Sequence, residues 1–567
     1  MKSFRLICLS ILFPCVTALA QNHAVPVANQ LVPPSARPGQ SGFTLQVEGS
    51  GFATGAVVYW NGSPRTTQVL SANTVEATIN AADVAKAGTA LVAVSNPAPG
   101  GGISTAVSFP IRQRWNSVAM ALDTAVTNPG IATVAADFNG DGKIDLATVN
   151  GTDGGLTIRL GKGDGTFLPA RTYRPGNYFT GLVVGDFNGD GNLDLAVSKP
   201  FLCGGCGGYP RYILTVFLGA GDGTFDKVAS PKKIFYGLPL AAGDFNGDGK
   251  LDLIVTSTDY YGDNWYPSIA LGSGDGTFQK GASLVYMNQF SYPAVGDFNS
   301  DGKLDIAMPD LDTFQGSPIT SVYLGNGDGT FATPAQYASV TENFAFTAAV
   351  ADLNGDGKLD IITDGAQVLL NNGDGTFTND NNVNITTNYF GGVAVGDFNG
   401  DGKIDFAIGG NYTSPYSSLV FLSNNDGTFQ MDTVEGGRVM QAADFNGDGQ
   451  LDLLTEGGIY LSTAAGVSPT YLSFNDTTVN SQSPPQTATL SNVSNKTMTI
   501  ESVQLTGTGA QEFLMTNQCG SSLAPGKSCQ IQLVFAPTAA GDVYPSLSIS
   551  VPGVPASAVA LFGPAVQ

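Results

Sequence analysis

One nine-residue phrase occurs seven times in this chain of 567 residues, and it limits the possible folds more tightly than any other feature. It first reads Asp137-Phe-Asn139-Gly-Asp141-Gly-Lys143-Ile-Asp145 and returns from Asp186, Asp244, Asp297, Asp352, Asp397 and Asp444. Every copy has carboxylates at positions one, five and nine, an amide at three and glycine at six. Oxygen donors on alternate residues of a tight loop suit a hard cation such as calcium, and the glycine permits the positive φ of a sharp turn. The phrase therefore reads as a calcium loop, with up to seven Ca2+ ions in the chain. A metal-free Asx turn is the competing reading, but three carboxylates within nine residues repel one another unless a cation neutralises them. An EF-hand is excluded, because position twelve is Thr148 and Val197 in the first two copies, inside predicted strands, where that loop needs a bidentate glutamate.

The copies begin 49, 58, 53, 55, 45 and 47 residues apart. A period near fifty with several short strands per unit is the pattern of propeller blades. Four strands are predicted per unit: a small-residue run ending at the loop, a run after the ninth-position aspartate such as Leu146–Val149, a third such as Ser321–Leu324, and a fourth after the phrase G-D-G-T-F. The residue before each first aspartate is Ala or Gly, as expected of innermost strands crowded about an axis. G-D-G-T-F occurs six times, at Asp164, Asp222, Asp275, Asp328, Asp374 and Asp426, and its aspartates read as turn residues. The seventh unit lacks it, so the segment Trp115–Ala121 is expected to supply that blade's missing strand and close the ring. The fold class is all-β: a seven-bladed β-propeller over 113–465 (closing strand 113–125), flanked by immunoglobulin-like β-sandwiches over 21–112 and 466–567.

Net charge is −22, and the three aspartates of each of seven loops supply most of the excess. Acidity is thus a metal-binding signature, and it argues against nucleic acid, which demands a basic face. Residues 1–20 have the basic, apolar and small-residue zones of a signal peptide, with cleavage expected after Ala20. No later stretch is long and apolar enough for a membrane span. A secreted or cell-surface protein follows. Two cysteine pairs remain after processing, Cys203 with Cys206 and Cys519 with Cys529, and both are expected to be disulfides. For the C-x-x-C pair, a redox centre and half of a zinc site stay open.

The flanks carry recognisable wording. G-S-G-F at 49–52, V-V-Y-W-N-G at 57–62 and V-S-N-P-A-P-G-G at 94–101 resemble IPT/TIG domains. P-P-Q-T-A-T-L-S-N at 484–492, C-G-S-S-L-A-P-G-K-S-C at 519–529 and V-F-A-P-T at 534–538 resemble the ASPM–SPD-2–Hydin group of immunoglobulin-like domains.

The seven phrases, with Phe390-Gly391 and Tyr236-Gly237 before innermost strands, resemble FG-GAP (VCBS) repeats, the propeller repeats of integrin α chains. The resemblance implies calcium in the hairpin between the first two strands of a blade. It places ligands at Asp137, Asn139, Asp141, the Lys143 carbonyl and Asp145 in the first loop, and at Asp186, Asn188, Asp190, Asn192 and Asp194 in the second. The third set is Asp244, Asn246, Asp248, Lys250 and Asp252; the fourth is Asp297, Asn299, Asp301, Lys303 and Asp305. The fifth is Asp352, Asn354, Asp356, Lys358 and Asp360; the sixth is Asp397, Asn399, Asp401, Lys403 and Asp405. The seventh is Asp444, Asn446, Asp448, Gln450 and Asp452. The fourth copy is the least regular, with Ser300 for glycine at a position that supplies no ligand.

Seven equivalent hairpin ions are expected to staple the ring and not to catalyse, since a catalytic ion needs an open position and a pocket. Ligand binding is expected on the opposite face, where the irregular loops carry Tyr209, Tyr260, Tyr261, Trp265, Tyr266 and Tyr412. Exposed aromatics suit a sugar ring or a protein partner; capping of blade ends is the plainer reading of them. The only histidine, His23, is expected to be disordered near the processed N-terminus, which removes Ser–His and Cys–His nucleophiles. The favoured function is a secreted, non-enzymatic propeller that binds a carbohydrate or surface protein, with its sandwiches as spacers. The alternative is a polysaccharide lyase or glycosidase built on paired carboxylates among Asp259, Asp263, Asp310 and Glu342. A structural piece of the cell envelope is a third reading.

Overall fold

The computed structural model describes residues 23–566 apart from 113–119, 124–131, 150–154, 175–178, 203–209, 226, 229–236, 259–264, 286–290, 312–316, 340–344, 381–382, 384–390, 410–416, 469–470, 494–495 and 553–556. The protein is all-β. Among the described residues there is no α-helix, only a 3₁₀ turn over Ala510–Glu512.

Each nine-residue phrase bends a strand back on itself. The residue before the first aspartate pairs with the ninth-position aspartate in every copy, from Ala136 with Asp145 to Ala443 with Asp452. Six of the resulting units are four-stranded antiparallel sheets in simple chain order, such as Leu238–Gly243, Asp252–Thr258, Trp265–Gly272 and Phe278–Ser283. The last sheet is assembled from Val439–Ala443, Asp452–Thr455 and Gly458–Ser462, and Met120–Asp123 adds its outer strand by antiparallel pairing with Gly458–Ser462. Innermost strands stand side by side in chain order, and that of the last sheet lies against that of the first. Gln441 fixes this junction: its amide accepts from the Ala135 N–H at 2.8 Å and donates to the Ala135 carbonyl at 3.2 Å.

Adjacent sheets are locked by their loops. The aromatic at position two is buried in all six copies that have one, as is Leu353 in the fifth. Phe138, Phe187, Phe245 and Phe298 pack edge-to-face on the G-D-G-T-F phenylalanines of the following sheet, with centroids 5.5–5.8 Å apart. The same turn caps the carbonyl of that aromatic. Gly223, Gly276, Gly329 and Gly165 donate their N–H to Phe138, Phe187, Phe245 and Phe445 at 2.9–3.1 Å. Side chains do this in two other places, Asn371 on Phe298 and Ser423 on Leu353.

Where the residue before the first aspartate is glycine, the neighbouring sheet leaves no room for a side chain. A Cβ on Gly185, Gly243 or Gly296 would stand 2.7–2.9 Å from Cδ1 of Leu251, Leu304 or Leu359, the eighth residue of the next loop.

Two further units flank this array. Residues 23–112 pack a sheet of Val27–Val32, Phe43–Ser50, Thr74–Ile79 and Thr67–Val69 on a second built around Val57–Trp60 and Gly88–Asn96, over a core that includes Leu45, Val58, Trp60 and Phe109. From Ala465 onward a second pair of sheets encloses Leu490, Phe513, Phe535 and Leu561. The Cys519–Cys529 disulfide is formed there, across ten residues; Cys203 and Cys206 lie outside the described residues.

Gly243→Val is expected to destabilise the repeat region by roughly 1–3 kcal/mol, because Leu304 and Phe245 leave no room for the added methyl groups. Calorimetry of the repeat transition reads this, and an unchanged midpoint contradicts the packing described.

Candidate functional site

The seven loops share one hydrogen-bond scheme. Oδ1 of the first aspartate accepts the N–H of residue five at 3.0–3.2 Å, and Oδ2 accepts that of the sixth-position glycine at 2.7–3.0 Å. The third-position asparagine Oδ1 also accepts from residue five, and Oδ1 of the fifth-position aspartate accepts from residue seven. These inward bonds wind the chain into a ring of oxygens. Positions four and six both need positive φ: the sixth-position glycines lie at 80–88°, and Ser300 is held at 60° where other copies have glycine.

The ninth-position aspartate has a second task that the repeat pattern alone does not reveal. Its Oδ2 accepts the N–H of the position-two residue at 2.8–3.1 Å, and its Oδ1 accepts an N–H at the end of the third strand at 2.7–2.8 Å. All seven of these carboxylates are fully buried. Each one ties the loop to its own sheet.

Burial, with the charges of the first and fifth aspartates added, pushes Asp145 up to about 6 and Asp194, Asp252, Asp305 and Asp360 up to about 7. Asp405 and Asp452 are raised well above the usual carboxylate range for the same reasons. The seventh-position lysines lie 3.0–4.0 Å from the fifth aspartates; in the first, third, fourth and fifth loops both side chains are solvent-accessible, where such pairs contribute little. Among the described residues, no three acidic, histidine or cysteine side chains converge tightly enough to hold a metal as they stand. The donor chemistry nonetheless suits a hard cation, because every side-chain donor is an oxygen; Oδ1 of the first aspartate already accepts two or more N–H groups in five of the loops. The G-D-G-T-F aspartates are simple turn residues. Asp164, Asp222, Asp328, Asp374 and Asp426 bond to the Thr two residues on, which holds them below their ordinary range.

The N-terminal unit is no free spacer; it sits on the loop face. Val25 N–H donates to Asp244 at 3.1 Å, Thr89 to Asp444 at 2.6 Å, Ser35 to Asp397 at 2.7 Å and the Asn73 amide to Asp297. Gln30 accepts the Asp352 N–H at 2.9 Å. First aspartates of loops three to seven are accordingly buried, while Asp137 and Asp186 are half-buried. The backbone approaches so closely that a Cβ on Gly249 would meet the His23 carbonyl, and one on Gly449 the Ile111 carbonyl. His23 itself is ordered, against expectation: it bridges to Gly100, and its Nδ1 lies 2.7 Å from the Pro97 carbonyl. A cavity of about 240 Å³ remains between Gln30, Leu31 and Pro110 of this unit and Val350, Val395 and Gln441 of the ring. Nothing in the pattern of Ser35, Asn73 or Thr89 announces these contacts, because each is one ordinary polar residue at a strand end or turn.

At the other ends of the innermost strands, a cavity of about 190 Å³ is lined by Thr133, Leu182, Tyr292, Thr347, Arg438 and Met440. Sequence reasoning passed over these residues, which share no motif. Of the predicted aromatics, Tyr266 is 43% exposed on Trp265–Gly272, and Trp265 begins that strand. Tyr209, Tyr260, Tyr261 and Tyr412 lie outside the described residues, as do Asp259, Asp263 and Glu342. Asp310 is buried. No helix among the described residues is long and apolar enough to cross a membrane.

No curated protein matches the chain. Among solved structures, an auxiliary nutrient binding protein from Bacteroides ovatus shares 12% identity over 77% of this chain and 98% of that one, with a TM-score of 0.32. Its counterpart from Bacteroides thetaiotaomicron shares 10% over 77% and 97%, with a TM-score of 0.33. A putative phosphatase from Bacteroides thetaiotaomicron shares 11% over 78% and 98%, at 0.31. Likeness at this level identifies no ligand. The sequence family described as FG-GAP-like repeat matches residues 137–197, 202–255, 244–308, 313–363, 363–408 and 397–455, more than half of the chain, and the protein belongs to that family.

Proposed function

We propose that this protein is a secreted, non-enzymatic, calcium-stabilised seven-bladed propeller that binds a carbohydrate or surface protein on the face opposite its nine-residue loops. The observation that carries the reading is the placement of the N-terminal unit. It covers the loop face at five first-position aspartates. The opposite mouth keeps an open cavity with a cation, a phenol and two hydroxyls, from Arg438, Tyr292, Thr133 and Thr347. Such a mix of apolar floor and convergent polar groups suits a sugar or a polar side chain. The flanking units are read as IPT/TIG-like and ASPM–SPD-2–Hydin-like, and the Cys519–Cys529 bridge suits an oxidising compartment.

Calcium, when bound, would supply the divalent charge that lets three carboxylates per loop stay ionised together. The first, third and fifth side chains, the seventh carbonyl and the ninth carboxylate would hold it. With affinities of roughly 10⁻⁴ to 10⁻³ M, millimolar calcium would add about 1 kcal/mol per occupied loop. Excess EDTA is therefore expected to lower Tm, and calcium to restore it; an unchanged melting curve overturns the calcium reading.

The pH dependence has a definite sign. In calcium-free protein the ninth-position carboxyls of the first five loops, raised to about 6 or 7, bind protons that the unfolded chain has released. Their contribution is fully present below the unfolded value near 4 and is lost as pH rises through 6 to 7. The gap in Tm between calcium-loaded and chelated protein is expected to widen from pH 5 to pH 8. A gap that narrows over that interval contradicts the assignment.

Ligand binding is tested on a glycan array and by pull-down in calcium. Arg438→Ala and Tyr266→Ala are each expected to weaken binding about tenfold or more. Reducing ends or unsaturated products from a polysaccharide would favour the enzymatic alternative.

A further inference from the structure

We propose that the sixth loop, residues 397–405, is closed by an internal cation, the guanidinium of Arg112, and takes no calcium. The proposal rests on the calcium reading of the other loops. Arg112 follows the last strand of the N-terminal unit, Val107–Ile111, and is almost wholly buried at 1% exposure. Its Nη2 lies 3.0 Å from Oδ1 of Asp397, and both side chains are inaccessible to solvent. Its Nη1 donates to Gln450 Oε1 at 3.0 Å and to the Phe398 carbonyl at 3.3 Å. The guanidinium thus bridges the sixth and seventh loops.

Two irregularities of the repeats meet at this point. The seventh unit is the one without G-D-G-T-F, the turn whose glycine N–H caps the position-two carbonyl of the preceding loop at four other junctions. Arg112 provides the donor on Phe398 that this turn would have provided. The seventh loop also has Gln450 at the position where five loops have lysine. A lysine there would put a second cation against the guanidinium; the glutamine amide instead accepts a hydrogen bond from it.

What sets the first carboxylate of the sixth loop apart is the charge placed against it. Oδ1 of Asp397 accepts the N–H of Gly400 and Asp401, and Oδ2 accepts those of Gly402 and the Ser35 hydroxyl, in addition to the Arg112 ion pair. In the third, fourth and seventh loops the N-terminal unit offers the corresponding aspartate a neutral donor, which leaves its charge for a metal. A calcium ion in the sixth loop would face a buried positive charge paired to its own first ligand; the same guanidinium also acts on Asp448 of the seventh loop, without an ion pair to that loop's first aspartate. Breaking the pair with Asp397 to admit calcium would strand the guanidinium away from water, a costly outcome. Docking of the N-terminal unit and calcium binding at the sixth loop therefore exclude each other.

Calcium stoichiometry of the full chain, measured by calorimetric titration of chelated protein, tests this. Asp190→Asn in the second loop is expected to remove one ion, and Asp401→Asn in the sixth to remove none. Arg112→Gln is expected to add one ion, and combining it with Asp401→Asn to abolish the gain. If Arg112→Gln does not fold, the comparison of Asp190→Asn with Asp401→Asn decides alone, because it leaves Arg112 in place. Equal losses from those two variants overturn this inference and leave the calcium reading standing. A wild-type chain that binds no calcium overturns both.

Discussion

The repeat region depends on a carboxylate pinned by two backbone N–H groups. In every sheet the ninth-position aspartate, wholly buried, accepts from the start of its own loop and from the end of the third strand. One side chain thereby fixes the hairpin and the strand beside it. A buried carboxylate satisfied on both oxygens is costly to replace, since its loss leaves two backbone donors unpaired at about 1–3 kcal/mol each. It also carries negative charge into a place with poor solvation, and the first and fifth aspartates add to it. In the calcium reading proposed above, the pin is what creates the demand for a cation.

From that pin, order passes from sheet to sheet through contacts of fixed kind. The position-two aromatic packs on the next sheet's phenylalanine, the next turn's glycine caps its carbonyl, and the eighth-position leucine presses on the preceding glycine. Each contact involves only neighbours, as in other repeat architectures. Closure needs exceptions, and they are found at the last sheet: an outer strand borrowed from Met120–Asp123, a Gln441 bracket on Ala135, and Arg112 in the place of an absent turn.

Much of this was legible in the sequence, for a physical reason. A period near fifty and an invariant loop are local signals, repeated often enough to fix the strand order and the hairpin register. The turn role of the G-D-G-T-F aspartates was equally local, because Thr two residues on is their partner. What escaped notice was long-range. The glycine before four of the loops answers to a leucine in the next repeat. The docking of Ser35, Asn73 and Thr89 joins residues more than 200 positions from their partners. His23 is held by residues far along the chain, Pro97 and Pro99 to Gly101. Arg112 left one trace, a cation just before an acidic array whose last unit lacks a turn, but its meaning required knowing which carbonyl that turn would cap. The mouth residues Arg438 and Tyr292 converge from different repeats and share no motif.

The central claim is that the nine-residue loops are calcium sites on a ring held by their own carboxylates. A crystal structure grown with calcium, with anomalous scattering used to place the ions, tests it most directly. The account predicts ions inside the first and second loops, each bound by the first, third, fifth and ninth side chains and the seventh carbonyl. Loops that keep their present hydrogen bonds and hold no ion at millimolar calcium would contradict it.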